Sequence, residues 1–200
     1  MFYGTCYVNF MALENKSELV SIDDYLEGEL VSEVKHEYLG GVIHAMAGGK
    51  MRHHKAAGNA YSSLHHSLKG KPCQPFNSDT KTRIHLPNQV RFYYPDVQVI
   101  CDPVDEDSLF TDIPTVVIEV LSDSTSRTDR GEKRDAYLLV PSLKVLIIID
   151  PSKICVDVDR RAPHGAFIPE HYNLMEEVIH LPEIETSLPV ADIYEGITLV

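Results

Sequence analysis

Glu119 is the one charged residue in the apolar run Val116–Leu121 (VVIEVL). Burying a carboxylate costs several kcal/mol unless a counter-charge or a metal ion compensates it. Asp96 is the other acid joined to an apolar run, Asp96–Cys101 (DVQVIC), and it follows Pro95. If the two runs are neighbouring strands, the two carboxylates converge. Hard oxygen donors of this kind suit Mg²⁺ or Mn²⁺. Two plainer accounts stand beside that one. Glu119 is equally compensated by an ion pair with Lys133 or Arg134, and Asp96 taken alone suits the turn after a proline.

Basic residues are segregated along the chain. From Lys50 to Arg91 come Lys50, Arg52, Lys55, Lys69, Lys71, Lys81, Arg83 and Arg91, with Asp79 the only acid, so this segment carries +7 within a chain of net charge −12. Five histidines lie in the same stretch. Such a distribution fits one face turned toward phosphates, with Lys50, Arg52, His53, Lys81 and Arg83 as its nucleic-acid contacts; a solvated face would have the same composition. His54 and His65 share a helix face but stand ~16 Å apart along it, too far for one metal ion. Those histidines therefore read as surface or phosphate-facing groups, with His53 or His54 near a cleft because a Gly48-Gly49 loop precedes them. Ser122–Ser126 lacks the glycines of a nucleophile elbow and reads as a polar loop. Neither a Walker loop nor a dinucleotide-binding glycine fingerprint occurs.

The elements that must position these residues follow from local pattern. Ser21-Ile22-Asp23-Asp24 has a capping serine and acids at the positive end of a helix dipole, with Tyr25, Leu26 and Leu30 as the apolar side. Gly40-Gly41 between strand-like runs marks a two-residue hairpin, because both positions need positive φ. Ala56, Ala57, Ala60, Leu64 and Leu68 recur at helical spacing over 52–68, and Gly70 stops that helix. Residues 80–86 alternate as a strand with Lys81, Arg83 and His85 on a polar face. Asp102, Asp105, Glu106, Asp107 and Asp112 form a solvated acidic loop. A helix is expected over 129–139, with Ala136, Tyr137 and Leu139 inward. Strands are expected over 145–150 and 154–160, with further edge strands after Pro163.

Length and composition bound the class. Two hundred residues, 44% hydrophobic and 24% charged, suit one domain with its own core. The longest uninterrupted apolar run, Val145–Ile149, is strand-sized, far short of the ~18–20 residues that span a bilayer. Residues 1–12 lack the basic start and long apolar stretch of a signal peptide and read as an extra N-terminal segment, leaving 13–200 as a single domain. None of Cys6, Cys73, Cys101 and Cys155 forms a CxxC pair. Cys101 and Cys155 sit in apolar runs as small core residues, and a reducing, cytoplasmic compartment is the simplest expectation.

Taken in order, these stretches resemble the PD-(D/E)xK, or restriction-endonuclease-like, superfamily. More narrowly, they resemble the bacterial family named "putative restriction endonuclease". The resemblance is carried by His36-Glu37-Tyr38 with the Gly41 turn, Ala45-Met46-Ala47-Gly48 and the helix from His53 to Leu68. It continues through Tyr94-Pro95-Asp96-Val97, Glu119-Val120-Leu121-Ser122 and Arg130-Gly131-Glu132-Lys133, then Tyr137. Together these span residues 20–160. The resemblance implies an α/β fold with a mixed central β-sheet flanked by helices. It implies that Asp96, Glu119 and the main-chain carbonyl of Val120 bind the metal, with Glu37 as a further acid that binds directly or through water. Leu121 stands where the superfamily has a lysine, and Lys133 on the following helix takes that role.

The activity so implied is Mg²⁺- or Mn²⁺-dependent endonucleolytic hydrolysis of DNA, with Glu37, Asp96, Glu119 and Lys133 as the catalytic set and a homodimer as the partner state. The cation would polarise a phosphate oxygen and acidify a water, and Lys133 would orient that water or offset developing charge. Two rival readings come from other classes. Leu121 motivates an inactive nuclease-fold module that binds nucleic acid or protein. The net charge motivates another metal-dependent hydrolase with an acidic pocket.

Overall fold

The computed structural model describes residues 19–122 and 131–199. The expectations for residues 1–12, for a polar loop over 123–126 and for a helix start at 129–130 lie outside these. The expected hairpin forms as β1 (His36–Leu39) and β2 (Val42–Ala45), with Leu39 opposite Val42 and Gly40 and Gly41 at φ 59° and 101°. Both central positions thus take the left-handed conformation that a two-residue turn demands. Helix α1 (Ile22–Val31) starts where Ser21 caps it, the Ser21 hydroxyl accepting from the Asp24 amide at 3.1 Å. Tyr25 is buried, but Leu30 is 64% exposed. The inward position one turn after Tyr25 is instead Glu29, with a side chain only 5% exposed.

Two sheets build the body. The first, in the order β2-β1-β5-β4-β7, contains β4 (Lys81–Leu86), β5 (Gln89–Tyr93) and the short β7 (Phe110–Thr111). The second, in the order β11-β10-β9-β8-β6-β3, contains β3 (Gln74–Asn77), β6 (Val97–Ile100) and β8 (Val116–Val120), then β9 (Val145–Ile149), β10 (Val156–Arg161) and β11 (Phe167–Tyr172). β8 and β9 are parallel and their neighbours antiparallel, so the sheet is mixed, as expected. Its central strands are buried on both faces, which explains their unbroken apolar runs.

Each face of the six-stranded sheet has its own core. Helix α2 (Met51–Ser67) lays Ala56, Ala60 and Leu64 against Val97, Val99, Ile118 and Val120. The C-terminal hairpin β12 (Val178–Leu181) and β13 (Thr186–Pro189), with helix α4 (Val190–Ile193), closes that layer. On the opposite face, helix α3 (Glu132–Leu138) packs Ala136 and Tyr137 against Val117, Leu146 and Ile148, together with Ile84 and Tyr93 of the first sheet. The protein is thus a mixed α/β fold with helices on both faces of its main sheet, a restriction-endonuclease-like core.

Three local expectations are corrected. Leu139 is 60% exposed, because α3 ends at Leu138 and its inner side carries Lys133. Lys81 is 6% exposed and not on a solvated face, its ammonium lying 5.1 Å from the centre of the Tyr94 ring. Burial lowers its pKa, partly offset by the charge of Glu29. Cys101 is joined to Cys73 in a disulfide at the end of the β3–β6 pair, so it is not a lone core thiol and the argument for a reducing compartment loses its footing. Cys155 is partly buried and free. Among the described residues, no helix is long and apolar enough to cross a membrane.

Candidate active site

Antiparallel pairing sets Val97 opposite Ile118, so one further step places Asp96 level with Glu119 at the mouth of the β6–β8 pair. The two acids emerge at the same level of adjacent central strands, as their sequence context suggests. Glu119 is 4% exposed. Its Oε1 accepts from the Tyr137 hydroxyl at 2.8 Å and lies 3.0 Å from Lys133 Nζ. Burial, together with the Glu119 charge, drives the Tyr137 hydroxyl pKa well above its usual value, so the phenol stays protonated and donates.

Lys133 reaches this point from the first turn of α3. Its Nζ is also 2.9 Å from Glu37 Oε1, and it stands 5.1 Å from the centre of the Tyr93 ring. One ammonium, 6% exposed, therefore binds an acid from β1 and an acid from β8. Arg91 supports the start of α3, its guanidinium 2.7 Å from Glu132 Oε1 and 3.0 Å from the Tyr93 hydroxyl. The structural pairing of Glu119 with a cation is real, and it is made to Lys133. Arg134 turns instead to Asp159 in a two-pronged pair at 2.6 and 2.7 Å.

Asp96 is held differently. Its Oδ2 accepts from the Val120 amide at 2.7 Å, and its Oδ1 is 3.0 Å from His53 Nε2. Burial opposes the charged imidazole, but the hydrogen bond and charge of Asp96 outweigh it, helped by the Val120 and Leu121 main chain, and the His53 pKa rises. His53 Nδ1 is buried without a hydrogen-bond partner. His53 was expected at the cleft as a nucleic-acid contact; the structure places it there with its Nε2 on Asp96, a contact that nothing in the sequence of α2 signals.

A cleft of about 270 Å³ opens beside this pair, lined by Lys50, Arg52 and His53 from the start of α2, Leu121 and Ser122 after β8, and Asp150, Pro151 and Ser152 after β9. Three of the five expected nucleic-acid contacts are thus gathered at one opening. The other two are elsewhere. Arg83 is bound to Asp112 through two hydrogen bonds at 2.7 and 2.6 Å and covers the Phe110 ring, while Lys81 is buried under Tyr94. His54, His65 and His66 are exposed, in keeping with a solvated role.

The acids around the site are Glu37, Asp96 and Glu119, whose hard oxygens are the chemistry Mg²⁺ or Mn²⁺ takes. Among the described residues, however, no three histidine, cysteine or acidic side chains are grouped closely enough to hold a metal ion. In this arrangement the Lys133 ammonium supplies the positive charge between Glu37 and Glu119.

Glu29 is the residue that sequence reasoning missed. Its carboxylate lies 2.7 Å from His36 Nδ1, and it accepts from the His36 amide at 3.2 Å and from the Tyr94 hydroxyl at 2.6 Å. A signal was present: Ile22, Tyr25, Leu26 and position 29 share a helix face, and an acid on an otherwise apolar face needs a buried partner.

Comparison with known proteins identifies relatives and a shared fold. A family model named Uma2, with the description "Putative restriction endonuclease", matches residues 22–191. Two proteins of Synechocystis sp. (strain ATCC 27184 / PCC 6803 / Kazusa) are similar. The one called "Uncharacterized protein slr1290" is 33% identical over 179 residues, covering 89% of this chain and 93% of that protein. The one called "Uncharacterized protein sll1609" is 26% identical over 137 residues, covering 67% and 76%. The fold is shared with a crystal structure described as a putative nuclease belonging to DUF820 from Anabaena variabilis ATCC 29413, at a TM-score of 0.70 and 19% identity. That match covers 90% of this chain and 99% of the other.

Proposed function

The chain belongs to the Uma2 family, and on that premise we propose that it is a Mg²⁺-dependent endonuclease that hydrolyses DNA phosphodiester bonds. The observation that carries the reading is the convergence of Glu37, Glu119 and a buried lysine, with Asp96 on the adjacent strand and a basic cleft alongside. Asp96, Glu119, the Val120 carbonyl and Glu37 would hold Mg²⁺ or Mn²⁺, which when bound polarises a phosphate oxygen and lowers the pKa of its water.

The chain's own residues do the remainder. Val120 N–H and His53 fix the two oxygens of Asp96, and Tyr137 fixes Glu119, so neither carboxylate has to be ordered when the substrate arrives. Lys133, desolvated and held by two acids, faces the place where negative charge develops on the phosphate and offsets it there. It reaches that place from α3, so Leu121, at 6% exposure, is free to pack in the core beneath that helix with Ala136 and Tyr137. Lys50 and Arg52 at the cleft would meet the backbone of the nucleic acid, making binding salt-dependent. A homodimer would bring two such sites to two strands.

A second reading has its own observation. The acids are already hydrogen-bonded or ion-paired within the protein, and no three candidate ligands are grouped among the described residues. A nuclease-fold module that binds nucleic acid without cutting it would look the same. Incubation of supercoiled plasmid with the protein and Mg²⁺ or Mn²⁺ separates the two. Nicked product with 5′-phosphate ends in wild type and none in Asp96→Asn supports the nuclease. Retention of plasmid without nicking under every divalent ion supports the module.

A further inference from the structure

Resting on the nuclease reading, the geometry points to Glu29 as a positioning residue whose buried carboxylate clasps together the two segments that carry Glu37 and Asp96. The pairing of β1 with β5 runs only over Tyr38 opposite Phe92 and Leu39 opposite Arg91. Continued by two steps, the register would set Glu37 against Tyr93 and His36 against Tyr94. The rungs are absent where Glu37 has to turn toward Lys133. Glu29 spans that gap. Its Oε1 takes His36 Nδ1, its Oε2 takes both the His36 amide and the Tyr94 hydroxyl, and the Tyr25 hydroxyl donates to the His36 carbonyl at 2.7 Å. His36 is the residue before Glu37, and Tyr94 is two before Asp96. One helix side chain thus stands in for strand pairing between the two acid-bearing arms.

The chemistry suits a carboxylate. Three donors converge on two oxygens, and a carboxylate accepts at both and donates at neither. His36 must therefore carry its proton on Nδ1. A glutamine of the same shape would keep all three contacts only by moving the His36 proton to Nε2, so that Nδ1 accepts from the new NH₂; removing the side chain is therefore the cleaner perturbation. A residue that merely anchored α1 would need no link to both arms at once.

The test uses the full chain and Glu29→Ala. In the metal-free protein, amide hydrogen exchange is read over residues 35–38, 94–97 and 22–31; Mn²⁺ affinity is then measured by calorimetry and plasmid cleavage by kcat and KM. The clasp predicts exchange roughly tenfold faster or more at both 35–38 and 94–97. It also predicts Mn²⁺ affinity weakened about 10- to 100-fold, as for loss of an outer partner of a metal ligand, and a fall in kcat with little change in KM. Faster exchange confined to 22–31, with both arms and Mn²⁺ affinity unchanged, overturns it. Should Glu29→Ala fail to fold, Tyr94→Phe removes one arm alone: faster exchange over 94–97 supports the clasp, and unchanged exchange there overturns it. If wild type binds no Mn²⁺, the nuclease reading falls, and the exchange pattern by itself decides the clasp.

Discussion

Replacing Lys133 by methionine keeps the unbranched stem, one atom shorter, and removes its charge. In the wild type the ammonium is 2.9 Å from one oxygen of Glu37 and 3.0 Å from one of Glu119, so those two oxygens are no more than about 6 Å apart. With an effective dielectric of about 20, two like charges at that distance repel by roughly 3 kcal/mol. Leaving a buried carboxylate without its partner typically costs about 3–5 kcal/mol. Lys133→Met is therefore expected to lose about 3–5 kcal/mol at pH 7, a fall in Tm of roughly 6–20 °C for a chain of this size. Adding Glu37→Gln removes the repulsion, so the double variant should recover about 2–3 kcal/mol of that loss, where independent sites would add their costs. Urea denaturation of the wild type, both single variants and the double variant measures this. A loss below about 1 kcal/mol for Lys133→Met, or no recovery in the double variant, would refute the reasoning, since the lysine would then be a solvated side chain.

Other expectations follow from the same geometry. Lys50→Ala and Arg52→Ala should each weaken DNA binding and lower the salt slope by about one, while Arg83→Ala, whose guanidinium is committed to Asp112, should leave both nearly unchanged in a filter-binding or anisotropy assay. The hydrogen bond from Arg160 holds the Glu170 carboxyl below its usual pKa despite partial burial. Its contribution to stability is therefore complete above about pH 4.5 and is lost as the pH falls through the lower folded-state value. The stability gap between wild type and Glu170→Gln, followed by urea denaturation against pH, should be full at neutrality and close below that point. Reducing the Cys73–Cys101 bond, which closes a loop of 28 residues, should cost about 3–4 kcal/mol, and a melt with and without reductant reads this directly.

What was legible in the sequence is what one-dimensional pattern encodes. A lone acid in VVIEVL has to find a cation, and it did; paired glycines need a turn, and they make one. The Ala56, Ala60, Leu64 stripe repeats at helical spacing and is buried. What failed was decided by packing between distant segments. Lys81 alternates correctly for a polar face, yet Tyr94 covers it. Strand β5 has no clean alternation, because Arg91 is buried through its ion pair with Glu132 and its contact with Tyr93. That His53 lines the cleft was legible from the loop before α2, whereas its contact with Asp96 depends on the level at which β6 meets α2. The disulfide likewise depends on the β3–β6 register, which no cysteine spacing reveals.

The central claim is tested most directly by titrating Mn²⁺ into the wild type and into Glu119→Gln by calorimetry, in the presence of a short uncleavable DNA duplex. The account predicts saturable binding to the wild type and binding weakened beyond detection in the variant, with both proteins holding the duplex. Equal binding by the two, or no binding by the wild type even with DNA present, would contradict it and leave Glu119 as a structural partner of Lys133 and Tyr137.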